Sequence, residues 1–121
     1  MDITTALGLS LLLTALGACT KPVPKGLDSY DPTGRIEAML EVAAKNDTTK
    51  IPQLISALDS DDSAVRLTAI RTLERMTGQT LGYDHAAPER ERRVATDRWV
   101  EWYQGRTADG SMPSEAGRQG L

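Results

Sequence analysis

The sequence predicts an all-α protein, a short stack of about four helices between two non-helical ends. Three observations predict it. Four segments carry an apolar stripe at helical spacing, the first two at i, i+3, i+4, i+7. None shows the strict alternation of a half-buried strand. The stretches before and after them are rich in Gly, Pro and polar residues.

The 121 residues suit one small domain with tails. With Phe absent and aromatics at 4%, the core must be built from Leu, Ile, Val, Ala and Met. The net charge of −3 and pI near 5.1 give no electrostatic case for nucleic acid. A single Cys excludes an intrachain disulfide.

That Cys ends the first segment. Residues 6–18 read ALGLSLLLTALGA, 13 uncharged residues. The run is shorter than the roughly 20 residues of a membrane-spanning helix, and it has the length of an export-signal core. It closes on Leu16-Gly17-Ala18-Cys19. This resembles the bacterial lipobox, a Leu, two small residues and a Cys. The resemblance implies a signal peptide over 1–18, acyl chains on Cys19 and a place in the bacterial cell envelope, lipid-anchored to a membrane. The other reading of Cys19 is a small buried residue. Residues 1–5 hold Asp2 and no Lys or Arg, whereas an export signal normally opens basic. Loss of 1–18 would lower the acidic count from 17 to 16 against 14 basic residues, a net charge of −2. Residues 19–30 read as a linker and 105–121 as a disordered tail too poor in apolar residues to order itself.

The helical domain is expected over 31–104. Helix one runs from Pro32 to Lys45, with Asp31 as N-cap and Pro in the first turn. Its apolar face is Ile36, Met39, Leu40 and Ala43. Helix two, Lys50 to Leu58, has Thr49 as cap and Ile51, Leu54, Ile55 and Leu58 as its face. Helix three, Asp62 to Met76, has Asp61 as cap and Val65, Ala69, Ile70, Leu73 and Met76 as its stripe; Gly78 stops it. Helix four, Pro88 to Tyr103, opens with Glu89 and Glu91, which suit the positive end of the helix dipole. Its face is Ala95, Trp99 and Trp102, widened by Val94.

The stretch from Ile51 to Gly78 resembles a HEAT repeat. The matching residues are Ile51-Pro52-x-Leu54-Ile55-x-x-Leu58, Asp59-x-Asp61-Asp62-x-x-Val65-Arg66-x-x-Ala69-Ile70-x-x-Leu73 and Thr77-Gly78. The resemblance covers 28 residues and implies a short HEAT-like α-solenoid. Leu58, Asp61, Val65, Ala69 and Leu73 would be its structural positions. In the family an Asp of the turn often pairs with the Arg of a neighbouring repeat, so Asp61 or Asp62 and Arg66 fall in pairing positions. Helix one looks like the inner helix of a preceding half-repeat. Gly82-Tyr83-Asp84 with Arg98-Trp99-x-x-Trp102 looks like an end cap. The two Trp are expected to cover the open end by packing on helix three; the rival reading makes them a binding platform.

Catalytic constellations are absent from the pattern. No phosphate loop or nucleophile elbow occurs, His85 is the only His, and the pairs Asp61-Asp62 and Glu89-x-Glu91 sit where helix capping explains them. Arg90, Arg92, Arg93 and Arg98 alternate with acids as a mixed solvated face. No metal or other cofactor is expected. The resulting expectation is a non-catalytic protein-binding or scaffold module, not an enzyme, anchored to an envelope membrane. Its partner is an unnamed protein, with self-association open. The partner surface would be Arg66, Arg71, Glu74 and Arg75 of helix three. The alternative is an accessory or inhibitory subunit of an envelope enzyme.

Overall fold

The computed structural model describes residues 25–112. The 1–18 segment, Cys19, the start of the linker and residues 113–121 lie outside the described residues. Within it are four α-helices and one short 3-10 turn: α1 (Pro32–Lys45), the turn Thr48–Lys50, α2 (Ile51–Ala57), α3 (Ser63–Thr77) and α4 (Glu89–Ala108). No described residue is in a strand.

Local chemistry sets the ends. Asp31 caps α1 by accepting from the amides of Thr33 and Gly34. The helix stops at Asn46, whose left-handed backbone turns the amides of Asn46 and Asp47 onto the carbonyls of Ala43 and Val42. Two caps lie one or two residues from where the pattern put them. Asp62, not Asp61, caps α3: its backbone is the extended one, so its carboxylate faces the amides of Ala64 and Val65 at 2.9 Å. Asp47, not Thr49, opens the second helical segment, because residues 48–50 tighten into the 3-10 turn and Asp47 accepts from the Thr49 amide.

The last helix overruns its expected end. α4 continues through Gly105 to Ala108, so residues 105–108 are not tail. The stop signal is Gly110, with φ +76, which lets the amide of Ser111 reach Arg106 O at 3.0 Å and that of Gly110 reach Thr107 O. Gly105 is a poor helix residue, but it sits on the exposed side of a helix docked through Trp99, Trp102 and Tyr103. Residues 25–30 are not a free linker either. Leu27 packs on the core and Lys25 pairs with Glu37 at 3.0 Å.

Hydrogen bonds give each helix its direction. Arg35 near the start of α1 donates to Ser60 Oγ, and Arg66 near the start of α3 donates to the carbonyls of Ser60 and Asp61. Both helices therefore begin at the α2–α3 turn and run the same way, and α2 runs opposite. The connection 79–87 returns along the molecule from the far end of α3 to that turn, where Tyr83 meets Leu58 O and His85 O meets Arg66. α4 starts there and passes Thr80 at Trp99, so it too runs opposite to α2. α1 and α3 pack side by side as one layer; α2 packs on α3, and α4 on α2.

The core lies between the layers. Met39, Ile51, Leu54, Leu58, Val65, Ala69, Leu73 and Trp99 are all fully buried. Two expected core residues are not. Leu40 is 58% exposed and Val94 49%. The reason is position at the margin of the stack. α1 meets one main helical neighbour, α3, and α4 one, α2, so each buries a narrow stripe. On α1 that stripe runs through Met39 and Val42, with Ile36 at its edge.

Candidate functional site: the α1–α3 face and the sealed edge

Two regions hold the residues that could serve function. The first is the face that α1 and α3 turn away from α2. Helical spacing puts Ala64, Leu67, Arg71 and Arg75 on one exposed stripe of α3. On α1 the exposed stripe carries Leu40, Glu41 and Ala44. Leu67 is 37% exposed. Arg71 pairs with Glu74 at 3.0 Å, and both are open to solvent. Such an exposed pair is worth little stability, so it leaves the face free to rearrange its charges.

Arg66 does not belong to this face. It is 8% exposed and points inward. Its guanidinium donates to Ser60 O at 2.8 Å, Asp61 O at 2.9 Å and His85 O at 3.1 Å. It is thus satisfied by three carbonyls rather than by an aspartate. A planar guanidinium suits this, since its fork of donors can gather carbonyls from several directions. Of the four helix-three residues expected to meet a partner, Arg71, Glu74 and Arg75 are on the surface and Arg66 is structural. Asp61 contributes only its carbonyl, with its side chain exposed. The other repeat positions, Leu58, Val65, Ala69 and Leu73, are fully buried.

The second region is the strap formed by residues 79–87. Its anchors come from every side. Tyr83, 7% exposed, donates its hydroxyl to Leu58 O. Trp99 Nε1 donates to Thr80 O at 3.2 Å, Arg98 to Leu81 O, and Arg92 to Ala87 O at 2.7 Å. Leu81 and Gly82 bend the strap with φ of +50 and +74. A side chain at Gly82 would meet Arg98 Nη1 at 3.1 Å. Burial raises the Tyr83 phenol above its ordinary value, and the nearby Arg66 and Arg92 pull it back in part.

Arg92 and Arg98, expected as solvated members of a mixed face, are therefore strap anchors; Arg93 pairs with Glu89 at 2.7 Å on the surface. The Trp pair divides. Trp99 is fully buried, while Trp102 is half-buried, edge-on to Trp99 at 5.4 Å, with the Arg106 guanidinium 5.2 Å from its ring centre. α4 packs on α2, and Trp99 is tied to the strap through Thr80 O while sharing the core with Ile70 and Leu73 of α3. Periodicity could not show the strap anchors, since each joins a side chain to a carbonyl 5 to 25 residues away. The signal that did point to them is the pairing of Gly82-Tyr83-Asp84 with Arg98-Trp99.

Among the described residues no group of three or more His, Cys, Asp or Glu is placed to hold a metal ion. No helix among them is long and apolar enough to cross a membrane. A groove of about 340 Å³ runs between α2 and α4, lined by Pro52, Ile55, Val100 and Tyr103 among others.

Antiparallel helix pairs in two layers, joined by a capped acidic turn, define an α-helical repeat protein. The comparison with known families gives the same answer more narrowly: the model for HEAT repeats matches residues 20–98, which is 79 of the 121 residues. The chain belongs to the HEAT-repeat family. No curated protein and no solved structure matches it. HEAT repeats generally mediate protein interactions and are typically non-catalytic.

Proposed function

We propose that this chain is a non-catalytic protein-binding module, held at an envelope membrane by acyl chains on Cys19, and that its partner meets the α1–α3 face. The observation that carries the reading is the exposure of Leu40 and Leu67 beside Arg71, Glu74 and Arg75 on one layer of a HEAT stack whose other layer is covered by α4. Exposed apolar side chains within a charged surface are a common form of protein interface. The anchor rests on the sequence Leu16-Gly17-Ala18-Cys19. More than one acyl chain on a single Cys would hold firmly, because one chain alone binds a membrane reversibly.

A photo-crosslinking amino acid at Leu67, at Arg75 and at Gln104 on the opposite side tests the face in intact cells. Adducts with one protein from Leu67 and Arg75, and none from Gln104, are expected. Adducts from Gln104 alone would move the interface to α4. Recovery of a stoichiometric enzyme with altered turnover would narrow the module to an accessory or inhibitory subunit. Mass spectrometry tests the anchor separately: wild-type protein is expected to carry acyl mass on Cys19, and a free thiol there would refute it.

A further inference from the structure

A cavity of about 270 Å³ opens between the segment that precedes α1, the end of α1 and the start of α2. Leu27, Ala38 and Val42 give it an apolar wall, and Asp28, Glu41, Lys45 and Lys50 add two acidic and two basic side chains. None of those four makes an ion pair among the described residues. Asp47, also in the wall, is engaged by Thr49. Gln53 completes the lining from α2. Its Oε1 is buried and accepts no hydrogen bond, although a buried acceptor without a donor is destabilising. We propose that this cavity binds a small zwitterion, an α-amino acid with an aliphatic side chain.

The wall selects that chemistry in three ways. Its unpaired charges balance, so they suit a ligand that carries one charge of each sign. Gln53 Oε1 calls for a donor, which an ammonium supplies, with Asp28 and Glu41 to balance its charge. The carboxylate would take Lys45 and Lys50 as its partners. Leu27, Ala38 and Val42 suit an aliphatic side chain. The volume lies just below the roughly 300–1,000 Å³ of sites for drug-sized ligands, as a smaller molecule requires. Because Leu27 and Asp28 belong to the segment 25–30, an occupied cavity would tie that segment to α1 and α2.

Amide NMR of the full chain in mild detergent tests this, with free L-leucine as the probe. N-acetyl-L-leucine, which lacks the ammonium, and L-leucinamide, which lacks the carboxylate, are the controls. L-leucine is expected to give saturable shifts in the Gln53 side-chain amide and in the backbone amides of Leu27, Asp28 and Lys50, and none at Val100 on the far groove. Each control should bind about tenfold more weakly or worse, the loss expected when a charge-assisted hydrogen bond is removed. Gln53→Met removes the acceptor and keeps the bulk of a side chain that is only part-buried. It should leave the rest of the spectrum in place and weaken L-leucine by about the same factor, read from Leu27 and Lys50. Should Gln53→Met fail to fold, the two controls on the wild type decide alone. The absence of any saturable shift overturns the proposal and leaves the cavity to water. So does equal binding of L-leucine and either control, or undiminished binding to a folded Gln53→Met.

Discussion

At the α1 edge, the chain closes the stack with little. Residues 25–30 lie against it with Leu27 packed on the core and Lys25 in a solvent-exposed ion pair with Glu37. At the α3 edge, nine residues of strap receive or send hydrogen bonds to α2, α3 and α4 and bury a tyrosine. The two edges solve the same problem. A single repeat leaves apolar surface at both ends, and stacked repeats need neighbours to bury it. The difference lies in what must be covered. The α1 edge ends on a helix whose outward residues include Glu41 and Lys45. The α3 edge carries Arg66, Tyr83 and the indole of Trp99, all buried and all bonded to or within the strap.

If the α3 edge is the strongly built one, damage there should be severe. Trp99→Ala should cost about 3–5 kcal/mol, the usual range for removing a buried large aromatic. Against a total of about 5–15 kcal/mol for a domain, the variant should be partly or wholly unfolded at 37 °C by circular dichroism. A small shift in a urea titration would show that the indole is dispensable to the seal.

Arg66→Met should cost about 3 kcal/mol, since it leaves three carbonyls without their donor while keeping the aliphatic stem. The same titration measures it. Arg71→Met, on the open face, is the companion: it should be near neutral, because the pair Arg71 makes with Glu74 is exposed to solvent. Equal losses from the two would erase the distinction between the buried and the surface arginine.

Tyr83→Phe sharpens the comparison further, because it removes one hydroxyl. About 1–2 kcal/mol should be lost with the bond to Leu58 O. The variant also changes the response to alkali. The folded chain holds the Tyr83 proton to a higher pH than the unfolded chain, whose phenol titrates near 10. The stability from this group is therefore complete below pH 10 and is lost as pH rises through the folded value. The melting temperature of the wild type should fall more steeply above pH 10 than that of Tyr83→Phe; parallel curves would contradict the assignment. At the α1 edge, Lys25→Ala should leave the melting temperature unchanged within error, since it removes only an exposed ion pair.

The stack was legible in the sequence wherever burial repeats with the helical period. Ile51, Leu54, Ile55 and Leu58, then Val65, Ala69 and Leu73, occupy the core as their spacing requires. The cap at Asp31 and the stop at Gly78 were legible because each serves amides or carbonyls within a few residues. Leu40 and Val94 were not, because periodicity marks a face without saying whether a neighbour stands opposite it. Arg66 was misplaced for a related reason. Its position in the repeat is plain, but its partner depends on the element packed beyond α3. A further repeat could offer it an Asp; the strap instead leaves it to the carbonyls of its own turn and of His85. The end of α4 was hidden by Gly105, which resembles a stop; the stop itself is Gly110, identified only by its left-handed backbone. Of the proposed partner face, Arg71, Glu74 and Arg75 were legible as outward residues of α3. Leu40 joined them only once the packing was known.

The most direct test of the account is hydrogen exchange on the full-length wild type, comparing the amides of residues 79–87 with those of residues 25–30. Tyr83 N–H bonds Thr80 O and Ala87 N–H bonds Asp84 O inside the strap, while the Ser29 amide bonds Gly26 O at the other edge. If the α3 edge is sealed and the α1 edge only closed over, the Tyr83 and Ala87 amides of the strap will exchange nearly as slowly as those of α3, and the Ser29 amide will exchange fast, near the free-energy floor of a fraying end. Equal rates at the two edges, or a strap that exchanges faster than 25–30, would contradict it.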